Sequence, residues 1–397
     1  MANFALTAVG MVNALGDNLH DIRARLFAGD LGRMSPLTLK VGGSEVLVGA
    51  VHEDLPRFPP ELEAFTCRNN RLSLCAYQQI QAEVARVRAC YGANRVGVVM
   101  GSSTAGLDAS EQAFALWYRD GKLPDGCDVH LKHEMGGVSK AIAQLAGVTG
   151  PAYTVSTACS SSAKVFASAA GLLASGFCDA VITGGVDVLC HIPLNGFNAL
   201  ASLCEGHSLP MSRNRTGLNI GEGAALFVMT REQPEHGVFL RGVGESCDAY
   251  HMSAPHPEGV GAEAAMRAAL AQAGTAPEAV HYLNLHGTGT PLNDAMESKA
   301  VARVFDQIPC SSTKPLIGHG LGMAGAMEVG FCYLALTAAG EAVPLPPHLW
   351  DGAVDERLPV LPLTQPGDCL TVDGPVRMMS NSFAFGGNNC SVLIERR

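Results

Sequence analysis

The chain has 397 residues, 47% of them hydrophobic and only 16% charged, so it can bury a large core and is neither disordered nor fibrous. A formal net charge of −10 argues against nucleic acid as a partner, because phosphate neutralisation needs a basic surface; an acidic protein that meets a local basic patch stays open. Thirteen cysteines scattered without CxxC pairs predict reduced thiols rather than a disulfide framework.

The first residues, MANFALTAVGMVNALGDN, lack a basic leader and read as a strand near 4–13 with its turn, not as a signal peptide. Strands near 95–102, 152–157, 179–187 and 222–230 follow, separated by helices near 68–90, 110–119, 136–146 and 160–175. The second half offers strands near 238–249, 280–286, 377–383 and 389–395, and helices near 260–273, 293–305 and 322–338. No apolar run reaches the length of a membrane span, so a cytoplasmic protein is expected. The alternation predicts a layered α/β fold. Both halves run strand, helix, strand, helix and close on an antiparallel-looking strand pair. That order suggests two similar halves, residues 1–235 and 236–397, joined near Glu232 to Gly237, where Pro234 and Gly237 interrupt the periodicity. A single irregular α/β domain without internal symmetry fits the pattern as well.

Cys159 differs from the other cysteines by its address. The run PAYTVSTACSSSAKVFASAAGLLASG reads as a strand, a tight turn and an Ala-rich helix that begins near Ser160. A thiol at a helix N terminus feels the positive end of the dipole, which favours its thiolate, and serines 160 to 162 are candidate caps. Cys90, Cys178 and Cys332 read as buried and inert. His286, in NLHGTGTPLNDAMESKA, ends an apolar strand in a Gly and Thr turn, at the sheet edge where open α/β proteins bind ligands. His319, in STKPLIGHGLGMAGAMEVG, precedes a Gly-rich helix start, with Lys314 five positions earlier. His20, His52, His207 and His348 read as structural or surface residues. A metal site is weakly supported, since no ligand spacing links the two histidines, and neither a Walker sequence nor a full GxGxxG is present.

Taken together, TACSSS at 157–162, HGTGTPLND at 286–294, KPLIGHGLGMAG at 314–325 and NSFAFGGNN at 381–389 resemble the elongating β-ketoacyl-acyl-carrier-protein synthases of the thiolase superfamily, over essentially the whole chain. The resemblance implies the thiolase fold, two α/β halves packed in layers (αβαβα). It implies that Cys159 is the acylated nucleophile of a Cys-His-His constellation with His286 and His319, supported by Lys314 and Glu297. Thr288 and Thr290 would bind the phosphopantetheine arm. Phe383 and Phe385 would belong to a gating loop that contacts substrate, the N–H of Phe385 joining that of Cys159 in an oxyanion hole. It further implies a decarboxylative condensation with malonyl-acyl-carrier protein and no metal or organic cofactor. The partners it implies are acyl carrier protein and a second subunit, identical or ketosynthase-like.

The departures from the pattern are specific. Ala384 stands where fatty-acid relatives usually carry Gly, which bears on loop mobility. Met211 and Leu218, in LPMSRNRTGLNIGEG, replace expected aromatics and bear on the acyl pocket or a second gating loop. These features lie nearer to ketosynthases of aryl-polyene clusters than to housekeeping fatty-acid enzymes. A thiolase would use a second cysteine, and Cys390 does not read as one. An initiating synthase would carry Asn at 319. A non-catalytic, chain-length-factor-like subunit would ordinarily lack the nucleophile. Arg68, Arg71 and Lys132 are the candidate basic patch for an acidic carrier.

Overall fold

Strands Val96–Gly101 and Ala180–Asp187 are buried at every position, and strands without a polar face belong inside a layered structure. The computed structural model describes residues 3–39, 41–124 and 127–397. All nine strands expected from the sequence are present, as parts of one ten-stranded sheet system. From one end its order is Cys310–Ser311, Tyr282–Asn284, Val376–Ala384, Asn388–Arg396, Val238–Cys247, Phe4–Val12, Gly223–Thr230, Ala180–Asp187, Val96–Gly101 and Ala152–Val155. Each set of five places its strands, counted along the chain, in the order third, second, fourth, fifth, first. In each, the third, second and fourth run parallel, and the last pairings are antiparallel. The sets join where Phe4–Leu6 pairs with Val238–Leu240.

Helix chemistry follows the layers. Arg68–Tyr91 buries Leu72, Ala76, Ile80, Val84 and Val87 along one face, the stripe of a helix with one side in solvent, and it covers the first five strands from outside with Gly136–Ala146. Ala324–Leu336 is apolar nearly all round. With Ser161–Ala174 it lies between the two sets and touches strands of both. Val260–Ala273 and Pro291–Val304 form the far layer. The resulting order of helix, sheet, helix, sheet, helix is the thiolase-fold layering.

Three α-helices among the described residues fall outside the sequence reading, Leu19–Ala28, His191–Ala199 and the one-turn Lys314–Ile317. The sheet ends differ. At Cys310–Ser311 the chain covers its own edge, with Cys310 N–H donating to the Pro362 carbonyl and Thr364 N–H to that of Cys310, both at 3.0 Å. Among the described residues no strand pairs on the outer side of Ala152–Val155, and Tyr153 is 38% exposed. Among the described residues no helix is long and apolar enough to cross a membrane.

Candidate active site

Cys159 lies in the turn between strand Ala152–Val155 and helix Ser161–Ala174. Ala158 before it has φ of 50°, a left-handed conformation that a residue with a Cβ keeps only when its surroundings hold it. Hydroxyls hold it here. Ser161 Oγ accepts from the N–H of Thr157 at 2.8 Å and donates to the carbonyl of Ala158 at 2.6 Å, and Ser160 Oγ donates to that of Thr157 at 2.9 Å. The serines therefore tie the turn, and none caps the helix N terminus. Ser162 Oγ accepts from the N–H of Ala326 at 2.9 Å, which docks the two middle helices on each other.

Burial, with the charge of Asp187 added to it, pushes the Cys159 thiol up to about 12, against the pull of the Lys314 charge and of the backbone N–H groups of Phe385 and of Cys159 itself. In the resting site desolvation outweighs the helix-dipole effect that the sequence alone suggests. The rate of inactivation by iodoacetamide is therefore expected to climb about tenfold per pH unit between pH 7 and 10, because the thiolate fraction does so below the thiol's pKa. A plateau reached by pH 8 would contradict it.

His286 follows strand Tyr282–Asn284, and His319 sits between the short helix Lys314–Ile317 and the start of Ala324–Leu336. Their rings meet edge to face at 5.2 Å, and Phe383 lies 6.1 Å from His286. Both imidazoles are held neutral, well below the usual 6.5, first by desolvation and then by the Lys314 charge. Among the described residues, neither ring nitrogen of His319 nor Nδ1 of His286 has a hydrogen-bond partner. Cys159, both histidines, Thr288, Thr290, Phe383 and Phe385 line one cleft, and the two threonine hydroxyls are 2.8 Å apart.

Glu297 and Lys314 lie beneath the cleft rather than in its wall. The Glu297 carboxylate accepts from the N–H groups of His286 and Gly287, each at 2.7 Å, and so fixes the backbone that presents the imidazole. Burial raises its pKa to about 7 despite these bonds. Lys314 Nζ donates to the His286 carbonyl and to the carboxylate of Glu328. Glu328 is absent from the sequence reading, although a lone acid in AGAMEVGFCYLAL is the signal that reveals it. Both partners of this pair are 2% exposed, so Glu328→Ala leaves a buried ammonium without its counter-charge. A loss of about 3–5 kcal/mol is expected in denaturant unfolding; a change under about 1 kcal/mol would contradict the pairing.

In the segment 381–389, Ala384 is extended, with φ of −107° and ψ of 158°. The left-handed positions are Gly386 and Gly387, with φ of 79° and 73°, so Ala384 imposes no backbone strain here. A Cβ on Gly387 would fall 2.9 Å from that of Asp248. Gly387→Ala is therefore expected to displace the loop and slow acylation by about tenfold or more, while Ala384→Gly changes it little; stopped-flow acylation compares the two. The loop is braced by 248–256, a segment that carries no sequence motif. Gly386 N–H donates to the Met252 carbonyl at 2.7 Å, and Asn389 Nδ2 to Asp248 Oδ1 at 2.8 Å. Phe385 stacks on Phe197 at 5.6 Å, another wall residue without a sequence signal. Leu218 lines the cleft, whereas Met211 packs into the core of the second half.

One expectation, a buried Cys90, needs correction, and the other residues singled out in the sequence are placed as follows. Arg68 Nε is bonded to the buried carboxylate of Glu222 at 2.9 Å, and Arg71 Nε to the Pro56 carbonyl at 3.0 Å. Both are engaged by groups of their own chain while remaining partly exposed. Cys90 is exposed, unlike Cys178 and Cys332. Cys390 lies in the core and does not line the cleft, while His348 is buried and bonded through Nε2 to the Pro210 carbonyl.

Residues 34–235 match the family described as Beta-ketoacyl synthase, N-terminal domain, and residues 238–346 match Beta-ketoacyl synthase, C-terminal domain. The structure of the ketosynthase ApeO in complex with its chain length factor ApeC from Xenorhabdus doucetiae superposes with a TM-score of 0.93 at 42% identity, over 100% of this chain and 98% of that one. Nodulation protein E of Rhizobium meliloti is 32% identical over 98% of both chains. The chloroplastic 3-oxoacyl-[acyl-carrier-protein] synthase II of Arabidopsis thaliana is 34% identical over 77% of this chain and 58% of its own length.

Proposed function

The chain belongs to the β-ketoacyl synthase family, and from that premise we propose that it condenses malonyl-acyl-carrier protein, with loss of carbon dioxide, onto an acyl chain held by Cys159. The observation that carries this reading is the convergence of a buried thiol and two neutral imidazoles on one cleft. In the first half-reaction the sulfur of Cys159 attacks the thioester of an acyl-carrier protein, and its proton leaves with the departing phosphopantetheine thiol. The oxyanion is received by the N–H groups of Cys159 and Phe385, the two that reach the sulfur in the free site. In the second, malonyl-carrier protein takes the vacated arm position, with Thr288 and Thr290 bonding the arm. His286 and His319 donate N–H to the thioester carbonyl, so the enolate left by decarboxylation is stabilised. Its carbon attacks the acyl-cysteine, the carbon–sulfur bond breaks, and Cys159 recovers a proton. Glu297 and Lys314 hold the His286 backbone throughout, and Phe383 and Phe385 border the acyl entrance.

In this reading residues 1–235 supply the nucleophile and residues 236–397 supply both histidines. The reaction needs no cofactor beyond the carrier's phosphopantetheine and takes place in the cytoplasm. The partners are acyl carrier protein and a second ketosynthase-like subunit, and the complex of ApeO with its chain length factor favours a heterodimer. The same relationship favours polyene chains over housekeeping fatty acids as the product class. A non-catalytic role is disfavoured by the intact cysteine. Incubation with a panel of acyl-carrier proteins, followed by mass analysis of the peptide containing Cys159, tests the reading. An acyl adduct there is the expected result; an adduct only on another cysteine, or none with any carrier, would overturn it.

A further inference from the structure

We propose that Asp187 is a positioning residue for His319, through a buried carboxylate node that fastens the histidine's loop to the half of the molecule carrying Cys159. The inference rests on the decarboxylating role given to His319 above. Among the described residues no hydrogen bond reaches the ring of His319, so its aim is set by its backbone. On the N-terminal side that backbone is clamped, with its carbonyl accepting from the N–H of Gly221 at 3.0 Å and its N–H donating to the carbonyl of Asn219 at 2.6 Å. On the C-terminal side the chain passes through Leu321, whose φ is 50°, a conformation that a leucine does not hold unaided.

The hold comes from Asp187, at the end of strand Ala180–Asp187 and fully buried. Its Oδ2 accepts from the N–H of Met323 at 3.0 Å and from Ser103 Oγ at 2.9 Å. Its Oδ1 accepts from the N–H groups of Ser103 and Thr104, at 2.8 and 2.7 Å, and from the hydroxyls of Ser102 and Thr104, at 2.8 and 2.6 Å. Ser103 Oγ in turn accepts from the N–H of Gly322 at 3.1 Å. Two successive amides of the histidine loop are thus bound by the end of the first sheet. The fit leaves no space, since a Cβ on Gly322 would lie 2.7 Å from both Asp187 Oδ2 and the nitrogen of Ser103. A structural anchor for the whole fold would damage both half-reactions alike. A node that fastens only the His319 loop selects one of them.

The test uses the full chain with its partner subunit and measures two rates, acylation of Cys159 by an acyl-carrier protein and carbon dioxide release from malonyl-carrier protein by acylated enzyme. Asp187→Asn turns an amide donor toward groups that are themselves donors. It is expected to lower kcat of decarboxylation by about 10²-fold, the scale of a misplaced catalytic group, with KM for malonyl-carrier protein within about threefold of native and the acylation rate not lowered, since the Asp187 charge opposes the Cys159 thiolate. Ser103→Ala removes only the acceptor for Gly322 and one bond to the carboxylate, and about a tenfold loss in the same step is expected. If Asp187→Asn does not fold, Ser103→Ala decides. Equal losses in both half-reactions, or none in either, would overturn the inference. Native enzyme that acylates but releases no carbon dioxide would instead overturn the role of the histidines on which it rests.

Discussion

Cys159→Ala is expected to abolish acyl transfer, with a loss on the order of 10⁶ in kcat, the scale seen when a covalent nucleophile is removed. No other group can take its place. Of the thirteen cysteines, Cys159 is the one that lines the cleft, and the N–H groups of Phe385 and Cys159 reach its sulfur. Cys159→Ala leaves the turn's hydroxyl bonds untouched, because they involve Thr157, Ala158, Ser160 and Ser161, so the thermal midpoint should stay near that of native protein. Intact-mass analysis after exposure to acyl-carrier protein should find no adduct. Retained turnover in this variant would remove the nucleophile assignment altogether.

His286→Ala and His319→Ala are each expected to lower carbon dioxide release by about 10²–10³-fold, the cost of losing one donor to a developing oxyanion. The double variant should lose less than the product of the two, because donors to one oxygen act as a unit. Both imidazoles are displaced well below 6.5 by burial and by Lys314. They stay neutral at and above that pH and gain a proton only as the pH falls far beneath it. No imidazole step is therefore expected in decarboxylation by acylated native enzyme between about pH 6.5 and 8.5, and a step near 7 there is that of Glu297, whose pKa burial raises to about 7. An NMR titration in which the imidazole of His286 or His319 gains its proton near pH 6.5 would contradict the neutral-donor assignment.

The layered strands and the Cys159 turn were legible because their signals are local: apolar runs bounded by Gly and Pro, then an Ala-rich helix. His191–Ala199 was not, since Pro193, Asn195 and Gly196 give its sequence little helix propensity; packing makes it a helix. Leu19–Ala28 did carry a signal, because Asn18 caps it by accepting from the N–H of Asp21 at 2.9 Å. The cleft residues were readable from their Gly-framed motifs, but their supports were not. Glu222 meets Arg68 across 154 positions, and Asp187 meets Met323 across 136. Pairings of that separation arise only when the sheet order brings the strand ends together. The acceptor that engages Arg68 was not legible for the same reason, since nothing near it in sequence announces Glu222.

Among the described residues the strand Ala152–Val155 has one row of backbone donors and acceptors without a neighbour in the sheet, and such a row is a template for another strand. It ends four residues before Cys159, in the segment whose hydroxyl bonds hold Ala158 left-handed. A strand that adds to this edge would stiffen the turn presenting the sulfur, so assembly and reactivity are mechanically coupled. Specific activity should then depend on protein concentration, falling on dilution as the edge is uncovered.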